Sequence, residues 1–456
     1  MGDVSGPGEG RRISRDALVV ALGYLSSFVY PLVALPFLAR ALGPAVLGMM
    51  MVVLAVLQLV VSVTDYGFSQ SALRRVVTRK DDEELGEIIS STLVSKALLL
   101  AGCAVVLLVV VLAVPSLRSH AALYLLGLLL VAGGTAFPDW LLQGLGRFAT
   151  FSALLACGRL AALAGLLLTV RGPDDVAWAL AWQVMPLGLS ALGAWIVLAR
   201  SGSARWMRPD RRSVLFALAD GKHLFVGNIA HMSMGAVNTV VLGAVAGPVQ
   251  AAYFGAAERF GNAGRGVMGG VSVAMLPRMT RAIVDPGGGP VRRLLTGGIA
   301  GGYVLGGICL AALAPLILPW YLGPGFSGTV PLAQLIGLAL CVAGGCMVLN
   351  LRAAAEHRFR AIARVTTAAA LVHLALIGPA SLLLGGTGAA LTVVTSETLL
   401  LALFLIDHLR RRRAAPALPT PSGTPAAPAS DPADVLAAPA DAPTAPDALR
   451  RRSVRS

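Results

Sequence analysis

Long apolar runs fill almost all of residues 17–406. A run of about 20 apolar residues at about 1.5 Å rise spans the hydrocarbon of a bilayer. In that solvent the backbone must satisfy its own hydrogen bonds, so runs of this length are read as helices. Segments 17–38, 44–64, 92–114, 119–137, 148–169, 175–198, 221–243, 249–276, 294–319, 327–350, 362–383 and 387–406 meet the criterion. The chain is therefore predicted to be an all-α integral membrane protein with about 12 transmembrane helices. A first run of this length with no small-residue cleavage site after it reads as an uncleaved helix.

Orientation follows from Lys and Arg, which cytoplasmic loops retain. With the N-terminus inside, 25 of the 37 basic residues fall in cytoplasmic segments, four in the C-terminal tail, and only Arg40, Arg118 and Arg171 on the far side. Both termini are thus predicted to face the cytoplasm. This bias also accounts for the net charge of +14. The basic residues are scattered over separate segments without a continuous stripe, so no nucleic-acid partner is expected. Cys103, Cys157, Cys309, Cys341 and Cys346 lie in apolar runs without CxxC spacing and read as small core residues, with no metal or disulfide implied.

The longest internal hydrophilic stretch divides the chain into a cytoplasmic N-terminal segment (1–14), a first six-helix bundle (15–200), a cytoplasmic loop (201–213), a second bundle (214–409) and a tail (410–456). Residues 414–456 hold 9 of the 27 prolines and almost no bulky apolar side chain, a composition that cannot offset its own ordering entropy and predicts disorder. Gly43-Pro44 follows the first helix of one half and Gly247-Pro248 the first helix of the other, 204 residues later. An even number of helices per half gives parallel repeats about an axis along the membrane normal. Asp81-Asp82-Glu83-Glu84 precedes the third helix, where an N-terminal turn favours negative charge.

No P-loop, HExxH, GxSxG or Asp-rich magnesium motif is present, so an enzyme is not expected and no cofactor is implied. Chemistry is instead sought among polar residues at membrane depth, which are costly there and usually face a bundle interior or a hydrated cavity. Lys96, Arg159, Lys222, Arg259 and Arg265 are the basic residues left inside or at the edges of the proposed helices. In the seventh helix Asn228, His231, Gly235 and Asn238 share one stripe at the helical period, and in the eighth Glu258, Asn262 and Arg265 share another. Two adjacent stripes predict one hydrated compartment; interhelical hydrogen bonding is the alternative. Arg159, near the centre of the fifth helix, is expected to point inward, with Asp139, Asp65 or Glu258 as partners. Lys96 and Lys222 lie nearer the cytoplasmic ends, where snorkelling also explains them. Basic residues outnumber acidic ones at depth, which favours an anionic substrate group such as a phosphate.

Several ordered blocks carry a resemblance. They are Pro31 to Pro44 at the exit of the first helix, Asp65-Tyr66-Gly67-Phe68 with Arg75, and Pro138-Asp139-Trp140 to Arg147. In the second half they are Asn238 to Gly243, Tyr253 to Arg259 and Leu276-Pro277-Arg278. Over residues 15–410 the chain resembles the polysaccharide flippases of the multidrug/oligosaccharidyl-lipid/polysaccharide exporter superfamily. The resemblance implies two six-helix bundles arranged as a V around a cationic cavity, moving a polyprenyl-diphosphate-linked oligosaccharide across the cell membrane by alternating access. On that expectation Arg159, Arg259, Arg265 and Lys222 hold the diphosphate. Glu258, Asn228, His231, Asn238, Asn262, Asp65 and Asp139 supply polar or coupling groups. Membrane lipid, a polysaccharide polymerase and glycosyltransferases are the implied partners. A multidrug antiporter, a lipid II flippase and a non-transport membrane scaffold are the competing readings. The first helix lacks a carboxylate for a coupling cation, and a Pro-rich tail stands where lipid II flippases carry two further helices.

Overall fold

The computed structural model describes residues 7–203, 206–233, 235–284, 289–356 and 358–414. The expected disordered tail lies outside these residues from 415 on. Residues up to Leu409 form one unit and Arg410 begins another. The helices are α1 (Pro7–Asp65), α2 (Phe68–Thr78), α3 (Asp82–Ala113), α4 (Pro115–Arg118), α5 (Ala121–Thr135), α6 (Asp139–Gly144), α7 (Phe148–Thr169), α8 (Val176–Arg200), α9 (Arg211–Ser233), α10 (Ala236–Val245), α11 (Pro248–Val284), α12 (Gly289–Leu322), α13 (Thr329–Ala355) and α14 (Phe359–Ala414). No strand occurs among the described residues. Eight helical stretches are long and apolar enough to cross a membrane, and the protein is a multi-pass membrane protein. The C-terminal half of α3 bears this out, with Val105, Val106 and Val109 all exposed, as a lipid-facing helix requires.

Two helices each hold two predicted segments. Gly43 (φ 69°, ψ 170°) breaks α1 between 17–38 and 44–64, and Gly385 (φ 58°) breaks α14 between 362–383 and 387–406. Glycine enters the left-handed region without strain and the following Pro44 presets the next helical turn. Gly247 (φ 87°) before Pro248 repeats the device. The two turns lie against one another. A Cβ on Gly48 would sit 1.7 Å from the Pro248 carbonyl oxygen and 3.2 Å from the Ala252 Cβ, and one on Gly255 would sit 2.7 Å from the Met51 sulfur. Positions 48 and 252, and 51 and 255, share the 204-residue offset of the Gly-Pro turns. Contact between positions of equal offset sets the second segment of α1 against α11 in matching register.

Prolines create hydrogen-bond acceptors at this contact. A proline inside a helix removes the N–H that would bond the carbonyl four residues earlier. Pro36 thus frees the Leu32 carbonyl, which accepts from the Tyr321 hydroxyl of α12. Beside it, within the first half, Pro186 frees the Trp182 carbonyl, which accepts from the Tyr30 hydroxyl of α1 at 2.7 Å. The last carbonyls of a helix lack partners as well, and near the end of α12 Trp320 accepts from Arg40 at 2.7 Å. One apolar cluster runs beneath these bonds from Leu35, Leu47 and Met50 of α1 to Phe254 of α11 and Leu318 of α12. The halves are therefore tied at the Gly43 end by both packing and hydrogen bonds.

Three expectations are corrected. The third helix starts at Asp82, ten residues before the predicted start, because Asp81 caps it by accepting from the Glu84 amide at 2.8 Å. The seventh is broken: α9 ends at Ser233, and Gly235 (φ −114°, ψ −83°) stands before α10, so Asn228 and Asn238 do not share one helical stripe. The pieces also dock differently. On α9, Phe225 stacks on Tyr66 at 4.4 Å, Asp220 pairs with Arg74 of α2 at 2.5 Å, and Arg75 lies over Phe216. On α10, Asn238 bonds a side chain of α14. Finally, Cys157 and Cys309 are exposed rather than core residues, whereas Cys346 is buried.

Candidate functional site: two polar clusters at membrane depth

The first cluster belongs to the first half. Asp65 closes α1, and the left-handed pair Tyr66 (φ 48°) and Gly67 (φ 81°) turns the chain into α2. That turn brings Ser69 back to donate to the Asp65 carboxylate at 2.8 Å, while Lys96 of α3 reaches the same oxygen at 3.4 Å. Lys96 is only 6% exposed, so it is an internal ion-pair partner and does not snorkel. Asp139 opens α6 beside them. Asp65, Ser69, Lys96, Asp139 and Arg159 share the lining of a cavity of about 280 Å³. Arg159 also lines a neighbouring cavity of about 310 Å³ with Tyr30, Gln58 and Gln183. Gln183 has a buried amide nitrogen without a hydrogen-bond partner. Two of the three partners considered for Arg159, Asp65 and Asp139, thus border the same cavity, while Glu258 stands with the arginines of α11.

The second cluster is built on α11. Arg265 pairs with Glu397 of α14 at 3.1 Å and bonds the Asn262 carboxamide oxygen at 3.4 Å, so the i, i+3 spacing on one helix face becomes a real contact. Glu258, one and two turns back on that face, is within electrostatic reach of Arg265. Both members of the Arg265–Glu397 pair remain partly exposed, at 26% and 15%. Arg259 points elsewhere, towards Tyr30 of α1 and Tyr321 of α12, and its Nη1 is buried without a hydrogen-bond partner. It stands where the halves meet, apart from Arg265.

The remaining expected residues separate. Lys222 is exposed on α9, and Asn228 is half-buried farther along the same helix. The His231 side chain lies outside the described residues. Asn238 is fully buried and meets His373 of α14 at 2.6 Å. Sequence reasoning passed over Glu397 and His373, although each is the sole residue of its kind in the apolar segments 362–383 and 387–406. The cost of ionisable groups at membrane depth was the signal that would have found them.

Residues 13–283 match the model of a family described as polysaccharide biosynthesis protein. A protein named for O-antigen transport in Escherichia coli strain K12 is 25% identical over 403 residues, covering 86% of this chain and 96% of that protein. A namesake in Shigella dysenteriae is 22% identical over 408 residues, covering 87% of this chain and 100% of its own length. Among solved structures, the lipid II flippase MurJ in an inward closed conformation has a TM-score of 0.71 at 13% identity, covering 86% of this chain and 87% of its own. An inward-facing multidrug resistance MATE family transporter of the MOP superfamily has a TM-score of 0.60 at 16% identity, covering 88% and 96%. At these identities the structures speak for the fold alone.

Proposed function

The chain belongs to the family of polysaccharide biosynthesis proteins, and from that premise we propose that it flips a polyprenyl-diphosphate-linked oligosaccharide from the cytoplasmic to the outer leaflet of the plasma membrane. The observation that carries the reading is the family match together with relatives named for O-antigen transport that align over 86–87% of the chain. The likeness to a lipid II flippase is one of fold and does not choose between lipid-linked substrates.

In this reading the chain crosses the membrane twelve times with both termini inside, as two six-helix halves (15–200 and 214–409) that rock against one another across the α1–α11 contact. The Gly43 end, tied by Tyr321–Leu32 and Arg40–Trp320, is then the outer gate, closed in this structure. A diphosphate at membrane depth needs cationic partners, because a bare charge there costs at least a few kcal/mol. Arg265 supplies one, exchanging Glu397 for a phosphate oxygen, and its planar fork suits a bidentate contact. Arg159 supplies a second from the first half. Arg259 acts at the contact of the halves, and Lys222 at the cytoplasmic approach. Glycosyltransferases that build the glycan supply the substrate, and a polymerase or ligase in the outer leaflet consumes it.

The test is reconstitution of the full chain with a fluorescent lipid-linked oligosaccharide, scored by access of a membrane-impermeant glycosidase. Faster appearance in the opposite leaflet than in protein-free vesicles is expected. Equal rates would reject the flippase, and extrusion of cationic dyes in its place would move the protein to the multidrug reading.

A further inference from the structure

His373 is fully buried in the first segment of α14, and both ring nitrogens have partners: Asn238 Oδ1 at 2.6 Å from Nε2 and Ser396 Oγ at 2.7 Å from Nδ1. Both partners are buried too, at 0% and 1% exposure. Ser396 in turn donates to the Thr392 carbonyl at 2.6 Å. A hydroxyl carries one proton, so with that proton on Thr392 the Nδ1 must donate to Ser396. The second nitrogen then has two satisfactory arrangements. Neutral Nε2 accepts from the Asn238 amide NH₂, and protonated Nε2 donates to the Asn238 amide oxygen. The first is reached from the second by a half-turn of the carboxamide, whose nitrogen and oxygen are interchangeable in shape. Few buried sites satisfy both protonation states, since burial normally leaves one of them with an unmatched donor or acceptor.

We propose that His373 is a proton-binding site in the second half whose occupancy governs the hold of α14 on α10. The location gives the bond leverage. Asn238 is the third residue of α10, immediately after the break at Gly235, and α9 on the other side of the break is docked on α2 through Tyr66–Phe225 and Arg74–Asp220. The broken α9–α10 pair therefore bridges the halves, and its inner anchor is the imidazole. No ionisable residue lies on α10 itself. At membrane depth the other surrounding elements carry Glu258, Arg259 and Arg265 on α11 and Glu397 on α14; Arg265 and Glu397 bond one another, Arg259 turns towards Tyr30 and Tyr321, and the two ring bonds of His373 go to Asn238 and Ser396. Coupling of this proton to movement of the lipid-linked glycan rests on the flippase reading, whereas proton binding itself does not.

The chain has six histidines, so ¹⁵N-histidine labelling of the full protein in nanodiscs resolves a small set of imidazole signals. His373→Gln removes one and assigns it. If that variant does not fold, Asn238→Asp assigns the same signal, because a carboxylate beside Nε2 must raise its titration midpoint. The assigned signal is expected to pass between its neutral and protonated forms within the pH range over which the protein stays folded. In proteoliposomes a gradient of about one pH unit then drives up to about tenfold accumulation per coupled proton, and His373→Gln loses that drive while retaining gradient-free flipping. An assigned signal that keeps one protonation state across the range overturns the proposal, as does unchanged gradient dependence in His373→Gln. Titration of His373 without any glycan movement in wild type rejects the flippase reading and leaves the proton site standing.

Discussion

Replacing Tyr321 by Phe removes a single hydroxyl and tests how the halves are held at the Gly43 end. The Leu32 carbonyl that it bonds has no helical donor, because residue 36 is proline and lacks the N–H. An interhelical hydrogen bond in a membrane contributes about 0.6–2 kcal/mol, and the absence of any alternative donor on α1 puts this one towards the upper part of that range. At 1.4 kcal/mol per factor of ten, the population closed at this end should fall about 10- to 30-fold relative to the open one. Spin labels at Ser119 and Ser327, both exposed near that end on opposite halves, report the change by electron–electron resonance. The wild type should give a short distance, and Tyr321→Phe should add or enlarge a longer one. Ser190→Ala is the matched control: its hydroxyl bonds the Leu154 carbonyl at 3.0 Å and joins α8 to α7 within the first half. It should lower thermal stability without altering the distance. Identical distributions in Tyr321→Phe and wild type would refute the argument that this bond helps to close the gate. Equal shifts in both variants would show that the effect comes from general loosening.

The other predictions follow from the same contacts. Arg159→Gln with Arg265→Gln should cut surface polysaccharide at least about tenfold at unchanged membrane level, with partial recovery for Lys at 159; full transport in the double variant would reassign these arginines to packing. Gly48→Ala forces the Pro248 carbonyl away and should cost about 1–3 kcal/mol, read as a lower melting temperature, whereas Gly102→Ala meets nothing within 4 Å and should be neutral. Cysteine at Ser203 in a cysteine-free version should resist an impermeant thiol reagent in intact cells; labelling would overturn the N-inside topology.

Hydropathy and turn chemistry are local, and they were legible. The apolar runs specify helices because the bilayer offers a backbone no alternative partner, and Gly43-Pro44 with Gly247-Pro248 marked two places where a helix must stop and restart. The spacing of Asn262 and Arg265 likewise led to a contact, since neighbours on one helix face are fixed by its pitch. The seventh segment shows the limit of such reasoning. Its apolar run reads as one helix, but docking of α9 on α2 and of α10 on α14 breaks it at Gly235, and periodicity carries no record of which surface each turn will meet. Pairings between distant helices were equally invisible: Lys96 with Asp65, Arg265 with Glu397, His373 with Asn238. The sequence alone determined that helices form, roughly where they end and how much charge they bury, because those follow from each segment's balance with lipid and water. Only the tertiary structure decided which buried charge finds which partner, because that depends on how helices from separate parts of the chain cross.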